Sequence, residues 1–413
     1  MRDSRSLEFP RTGPALYLLA IGAVLSMVLL FTTVDPWMNR AGILAGGLDV
    51  HVYRDGALKV LRGNPLYTEE SIFGLFYTYT PFSTLAFLPI AAVPWSLVTN
   101  TALILNLLIL FACVLLCWRI LGYRIDGRLV LLSALLALMC TFLEPVRTTL
   151  FYGQINLLLM ALVLWDFARS PGSRLRGLGV GLAAGIKLVP LFYVTQFAVL
   201  RQWRAAATAV VTFAGSVALA WLVLPADSRE YWTDTFFQST RIAPDGHPAN
   251  QSIRGALAHL ARQQQAQVWL WLLIAIPVAV LSLFVAAALY RRGERLLAVT
   301  VSGMAACTVS PFSWSHHWVW FVPLFVYLVH RATRQSWWWV VIAGLYAAQG
   351  AWTWRWSPDW VVVGLYMFPP TWSVAPLLMN GCILVFAGVL IGSCVLLRRQ
   401  PRTLPREDAR LPS

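Results

Sequence analysis

Lysine is nearly missing from this chain: Lys59 and Lys187 are the two present, and the other 30 of its 32 basic residues are arginine. Acids are scarce as well, 18 in 413 residues, and charged residues make up 12%. That is about half the share of an ordinary soluble domain, which excludes one. The six cysteines, Cys113, Cys117, Cys140, Cys307, Cys382 and Cys394, sit in or at the ends of apolar runs without CxxC spacing. They read as packing residues, so neither a disulfide framework nor a zinc site is supported. No fixed-period repeat or heptad run is present either.

What the sequence has in quantity is apolar residues, 58% of the chain, with a mean hydropathy of +0.65. Apolar runs of about 15–24 residues recur from end to end, and about 20 residues of helix cross a hydrocarbon core. The chain therefore reads as an all-α polytopic membrane protein with about 10–12 transmembrane helices. Short arginine clusters mark its topology: Arg2/Arg5/Arg11, Arg119/Arg124/Arg128, Arg169/Arg174/Arg176, Arg201/Arg204, Arg291/Arg292/Arg295, Arg331/Arg334 and Arg398/Arg399/Arg402. Retention of arginine on the inner side places all seven, and both termini, in the cytoplasm. The loops between them then face outward, carrying 11 of the 18 acids, among them Asp49, Asp55, Glu144, Asp227, Asp245 and Asp359. The net charge of +14 is spread along a rim instead of one stripe. Anionic lipid headgroups, not nucleic acid, are its expected counter-charge.

Residues 1–397 read as one membrane domain with a first outer loop at 35–80 and a second at 225–267. A short polar tail, 398–413, follows. Ala15 to Val34 is long enough to span and lacks a small-residue cleavage site, so it reads as a crossing and not a signal peptide. The stretch "PFSTLAFLPIAAVPW" is short and proline-broken, which suits a half-inserted helix. Only 24 residues separate Arg176 from Arg201, too few for two crossings. A pair of short helices turning near Lys187 to Pro190 is expected there, lining a cavity.

The first outer loop holds "GLDVHVYRDG" at 47–56. Gly46-Gly47 before and Gly63-Asn64-Pro65 after bracket a short amphipathic helix. On it Asp49, Tyr53, Gly56 and Val60 share a face, while Asp55 precedes Lys59 by four residues, the spacing of an exposed ion pair. Asp49 has no basic residue one turn away. A carboxylate facing the membrane side is costly unless it has a task or a distant partner, which makes it the catalytic candidate.

Lys187, in "GIKLVP", either snorkels to the interface or holds a phosphate. His316 and His317, in "SPFSWSHHWVW", point about 100° apart on a helix, a poor start for a metal site and a fair one for hydrogen bonding to phosphate or sugar. Spacing does not say which of them faces a cavity. In "NQSIRG", Asn250 and Gln251 offer amides and Arg254 a fork suited to phosphate or sugar oxygens. In "EPVRTTLFYGQIN", Glu144 and Arg147 read as a structural pair, and Gln154 and Asn156 equally as interface polars or as substrate contacts. No metal or cofactor is expected.

Together "GLDVHVYRDGALKVLRGNPLYTEE", "YTYTPF", "FYGQINLLLMALVLWD", "GLAAGIKLVPLFYV", "YWTDTFF", "NQSIRG" and "SPFSWSHHWVWFVP" resemble, in order, the polyprenyl-phosphate-mannose-dependent α-1,2-mannosyltransferases of actinobacteria. The likeness covers about residues 15 to 330 and is greatest to the mycobacterial members that extend phosphatidylinositol mannosides. It implies a GT-C glycosyltransferase fold in the plasma membrane, with the active site on the periplasmic side. It further implies a polyprenyl-phosphate-mannose donor, a mannosylated glycolipid acceptor and a monomeric enzyme. Asp49 would be the general base, Lys187, Arg254, His316 and His317 the donor-phosphate ligands, and Tyr53, Gln154, Asn156, Asn250 and Gln251 the substrate contacts. Branching of lipomannan, or transport of a lipid-linked sugar, would draw on similar features.

Overall fold

The computed structural model describes residues 7–10, 13–33, 42–238, 241–357, 360–367 and 372–399. Asp359, Arg2, Arg5, Arg11, Arg402 and most of the first loop before residue 42 lie outside them. The helices run α1 (Ala15–Thr33), α2 (Leu48–Arg62), α3 (Pro81–Ala91), α4 (Trp95–Ile120), α5 (Gly127–Cys140), α6 (Glu144–Tyr152), α7 (Asn156–Phe167), α8 (Leu178–Ile186) and α9 (Phe192–Val199). They continue with α10 (Trp203–Val223), α11 (Pro225–Thr233), α12 (Ile253–Ala261), α13 (Val268–Arg291), α14 (Arg295–Val309), α15 (Phe321–Ala332), α16 (Trp338–Ala348), α17 (Ala375–Leu378) and α18 (Gly381–Arg399). The protein is thus a predominantly helical, multi-pass membrane protein. Among the described residues five helices, α1, α4, α10, α13 and α18, are long and apolar enough to cross a bilayer, and the pair α6–α7, bent by 116°, makes a sixth if counted as one broken span.

Three differences from the sequence reading have local causes. The apolar stretch 374–397, which reads in sequence as a single span, is interrupted at Asn380, whose Oδ1 accepts from His259 Nδ1 at 3.0 Å while Gln251 Nε2 donates to the Met379 carbonyl at 2.6 Å. His316 and His317, placed by the sequence on a helix at the outer end of a span, sit instead in a 3₁₀ turn, Ser315–Trp318, ahead of α15. A small antiparallel hairpin, β1 (Thr353–Ser357) and β2 (Trp360–Val363), occupies a tryptophan-rich stretch read as loop. Polar and apolar residues alternate in sequence along Thr353–Ser357, a signal easily lost among so many aromatic residues.

Arginines gather at one end of the bundle. Arg176 donates to Tyr290 Oη at 3.0 Å, Arg291 to the Val199 carbonyl at 2.7 Å, and Arg292 to the Leu397 carbonyl. Helix α13 runs to this end, Gly293 turns the chain at φ 90°, and α14 returns to the other. Between the ends lies a continuous apolar core that includes Leu19, Trp118, Leu164, Phe197, Met304 and Phe325.

One close approach positions the far end. Gly177, Gly181 and Gly185 recur every fourth residue, and a Cβ on them would stand 2.1 Å from Ala205 O, 2.5 Å from Thr212 Cβ and 2.4 Å from Ser216 Oγ respectively. Glycine alone lets α8 lie directly on α10, the small-residue packing of membrane helices. The chain reaches Lys187 at the end of that contact.

Candidate active site

Helix α2 starts at Gly47, whose left-handed backbone (φ 77°) places its N–H on the Phe151 carbonyl at 2.6 Å. A Cβ there would meet Thr99 Oγ1 at 2.2 Å. The helix is further fixed by His51, stacked on Trp95 at 3.8 Å, and by Tyr53, stacked on Phe87 at 4.6 Å. Asp49 lies in its first turn, where the backbone dipole favours an anion. The face that carries Asp49 and Tyr53 turns inward, as the spacing predicts.

Asp55 and Lys59 do not pair with each other. Asp55 accepts a 2.6 Å hydrogen bond from Ser71 Oγ, and Lys59 donates to the carbonyls of Glu69 and Glu70 at 3.1 and 2.9 Å. Both tie the 69–71 segment to α2. A folded-back loop offers the ammonium better acceptors than a solvated carboxylate on its own helix.

A cavity of about 710 Å³ opens among the 42–80 and 225–267 loops and the α8–α9 turn, and Asp49, Tyr79, Gln154, Lys187, Arg241 and His317 stand on its polar wall. Its other wall is apolar, with Phe192, Tyr231, Phe236, Phe312 and Trp314. Gln154 links two parts of the polar wall. Its amide oxygen accepts from Tyr53 at 2.8 Å and from Tyr79 at 3.0 Å, and its amide group hydrogen-bonds Asp49. With the oxygen occupied by phenols, the N–H end is the one left for the carboxylate. Burial pushes the Asp49 carboxyl up to about 6, against the opposing pull of Gln154 and of the Lys187 ammonium. A group poised there is ionised at neutral pH yet basic enough to take a proton.

Lys187 Nζ donates to His317 Nε2 at 2.8 Å, to Asn156 Oδ1 at 3.3 Å and to Tyr79 Oη at 3.5 Å. An ammonium has no lone pair, so His317 must accept at Nε2 and carry its proton at Nδ1. Burial, the Lys187 charge and His316 all hold the His317 imidazole well below its ordinary pKa, hence neutral. His317 is therefore the histidine on the cavity. His316 turns away, its ring stacked 6.1 Å from Trp314 and its carbonyl accepting from Thr149 Oγ1 at 3.1 Å and Asn156 Nδ2 at 3.0 Å. Asn156 thus bridges the histidine turn to Lys187.

The "NQSIRG" residues lie elsewhere. Asn250 and Gln251 are fully buried. The first donates to the Asp245 carbonyl at 2.9 Å and accepts from Ser313 N–H at 3.1 Å; the second accepts from Cys382 N–H at 3.1 Å. Arg254 Nε meets Asp245 Oδ2 at 2.9 Å. None of the three lines the cavity: they splice the second loop to the 313 turn and to α18, a buried polar joint whose every member is engaged. Glu144 takes hydrogen bonds from Thr148 at 2.7 Å and Ser315 at 2.9 Å, and Arg147 lies 4.3 Å over the Phe151 ring, so the expected Glu144–Arg147 pair is replaced by separate partners.

Two cavity residues escaped the sequence reading. Tyr79 lies in the "YTYTPF" run but carries no charge to mark it. Arg241 stands in a loop full of polar residues, and its one signal was an arginine on the acid-bearing side.

The profile of glycosyltransferase family 87 matches residues 77–311. A polyprenol-phosphate-mannose-dependent alpha-(1-2)-phosphatidylinositol pentamannoside mannosyltransferase of Mycobacterium tuberculosis is 32% identical over 333 residues, 78% of this chain and 76% of that protein. A polyprenol-phosphate-mannose-dependent alpha-(1-2)-phosphatidylinositol mannoside mannosyltransferase of Mycolicibacterium smegmatis is 34% identical over 341 residues, 74% of this chain and 75% of that one. An alpha-(1->3)-arabinofuranosyltransferase of Corynebacterium glutamicum is 30% identical over 184 residues, 43% of this chain and 42% of that protein. No solved structure matches.

Proposed function

The chain belongs to glycosyltransferase family 87, and from that premise we propose that it transfers mannose from polyprenyl-phosphate-mannose to a phosphatidylinositol mannoside, forming an α-1,2 linkage on the periplasmic side of the plasma membrane. Donor and acceptor are those in the relatives' names. The side follows from the arginine-bearing end, which retention of positive charge assigns to the cytoplasm.

The observation that carries the reading is a carboxylate and a buried ammonium on one cavity wall, each held by its own amide. Asp49 accepts the proton of the attacking acceptor hydroxyl. The new bond forms between that oxygen and the anomeric carbon as the bond from this carbon to the donor phosphate oxygen breaks. A β-linked donor giving an α-linked product inverts the centre in one step, which requires no second catalytic carboxylate. Lys187, oriented by His317 and Asn156, faces the charge that grows on the departing polyprenyl phosphate. Against the apolar wall of the cavity such a preset cation stabilises that charge more than a fully water-exposed lysine would.

Asp49→Asn keeps the shape and the hydrogen bonds but removes the basic lone pair. Purified variant incubated with polyprenyl-phosphate-mannose and a mannosylated phosphoinositide is expected to lose about 10²–10⁴-fold in kcat. Transfer at the wild-type rate would remove Asp49 from the mechanism.

A further inference from the structure

We propose that Arg241 binds the phosphodiester of the acceptor glycolipid, forming a second phosphate site apart from the one at Lys187. This rests on the reading above, in which two lipid phosphates enter one cavity. Each substrate carries a phosphodiester anion, and among the described residues the cavity wall carries two cations, Lys187 and Arg241, with Asp49 as its one acid. Lys187 is engaged with Asn156, His317 and Tyr79. Arg241 shares none of these partners. It comes from the second outer loop, lies 4.3 Å over the Phe76 ring, and donates through Nη2 to the Tyr67 carbonyl.

Those two contacts fix the guanidinium plane without consuming it. Its Nε is enclosed by protein without a hydrogen-bond partner among the described residues, which leaves the Nη1–Nη2 end as the edge open to a ligand. A guanidinium held on one face and one edge keeps the fork that matches two oxygens of a phosphodiester. Phe236, Phe237 and Ile242 are exposed on the same loop, 47%, 72% and 41%. That is the surface expected where a headgroup phosphate meets acyl chains. A diacyl phosphoinositide anchored there would extend its mannose chain inward, toward Asp49. The donor phosphate is left to Lys187.

The test uses the full-length enzyme in detergent with polyprenyl-phosphate-mannose and two acceptors, a phosphatidylinositol mannoside and a neutral alkyl α-mannoside. Arg241→Gln is expected to raise KM for the phosphoinositide about tenfold or more, the scale of a lost charge-assisted hydrogen bond. KM for the donor and for the neutral acceptor should stay within about twofold on the same scale. Arg241→Lys, which keeps the charge without the fork, should fall between and serves as the deciding variant if Arg241→Gln does not fold. An equal rise for both acceptors, or a rise for the donor, would overturn the assignment. Wild-type enzyme that transfers mannose to neither acceptor overturns the underlying mannosyltransferase reading, a result distinct from a wrong role for Arg241.

Discussion

The carboxamide of Gln154 divides its two ends between Tyr53 and Tyr79 on one side and Asp49 on the other. By donating to the carboxylate it favours the ionised form and so works against the burial that lifts Asp49 to about 6. The base acts when deprotonated, so kcat/KM should fall tenfold per pH unit as pH drops below about 6. Gln154→Leu removes the donor and should move that acidic limb to higher pH, and Gln154→Glu, which sets a second carboxylate beside the first, should move it further. A pH–rate profile checks both, since a variant that merely loosened the fold would lower rates without shifting the limb. At this scale the sequence was half legible. The absence of a base one turn from Asp49 did mark it as unusual. The partner that tunes it comes from residue 154, and the loop that takes Lys59 away from Asp55 lies ten residues on, so neither contact had a local signature.

Elements were legible where glycine or helical spacing delimits them. Gly47 and Gly63, both left-handed, bound α2 where the sequence placed it. The short pair around Lys187 also forms as predicted, from the 24 residues between Arg176 and Arg201. What spacing could not show is how tightly α8 meets α10. A methyl on Gly181 would stand 2.6 Å from the Ala209 carbonyl and 2.5 Å from Thr212 Cβ, so α10 must shift. Gly181→Ala is therefore expected to destabilise the protein by about 1–3 kcal/mol, despite alanine's better helix propensity. A lowered melting temperature in detergent checks this. Because the glycine stripe ends at Gly185, two residues before Lys187, activity should fall with it. An unchanged melting temperature would mean that the two helices are not in this contact.

At the scale of the whole molecule, the charges were a better guide than the hydropathy. Arginine clusters assigned to one side in sequence do meet at one end, where Arg176, Arg291 and Arg292 bond to segments from α13, α9 and α18. The number of crossings was less legible, because several apolar helices of 10–17 residues, such as α5, α14 and α16, are too short for a free-standing span by length alone. Packed along a longer neighbour, as α5 is along α1 and α14 along α13, such a helix need not cover the hydrocarbon thickness alone. The side each end faces is open to direct measurement. Five of the six cysteines are buried and Cys394 is partly so, which gives a quiet background once Cys394 is changed to serine. Ser170 and Gln265 are both exposed, the first in the loop before α8 at the arginine end, the second in the loop before α13 at the cavity end. A membrane-impermeant maleimide applied to intact cells should label Gln265→Cys and spare Ser170→Cys, and inverted vesicles should reverse the pattern. The opposite result would put the cavity in the cytoplasm, where a lipid-linked sugar donor would lose its advantage over a soluble nucleotide sugar.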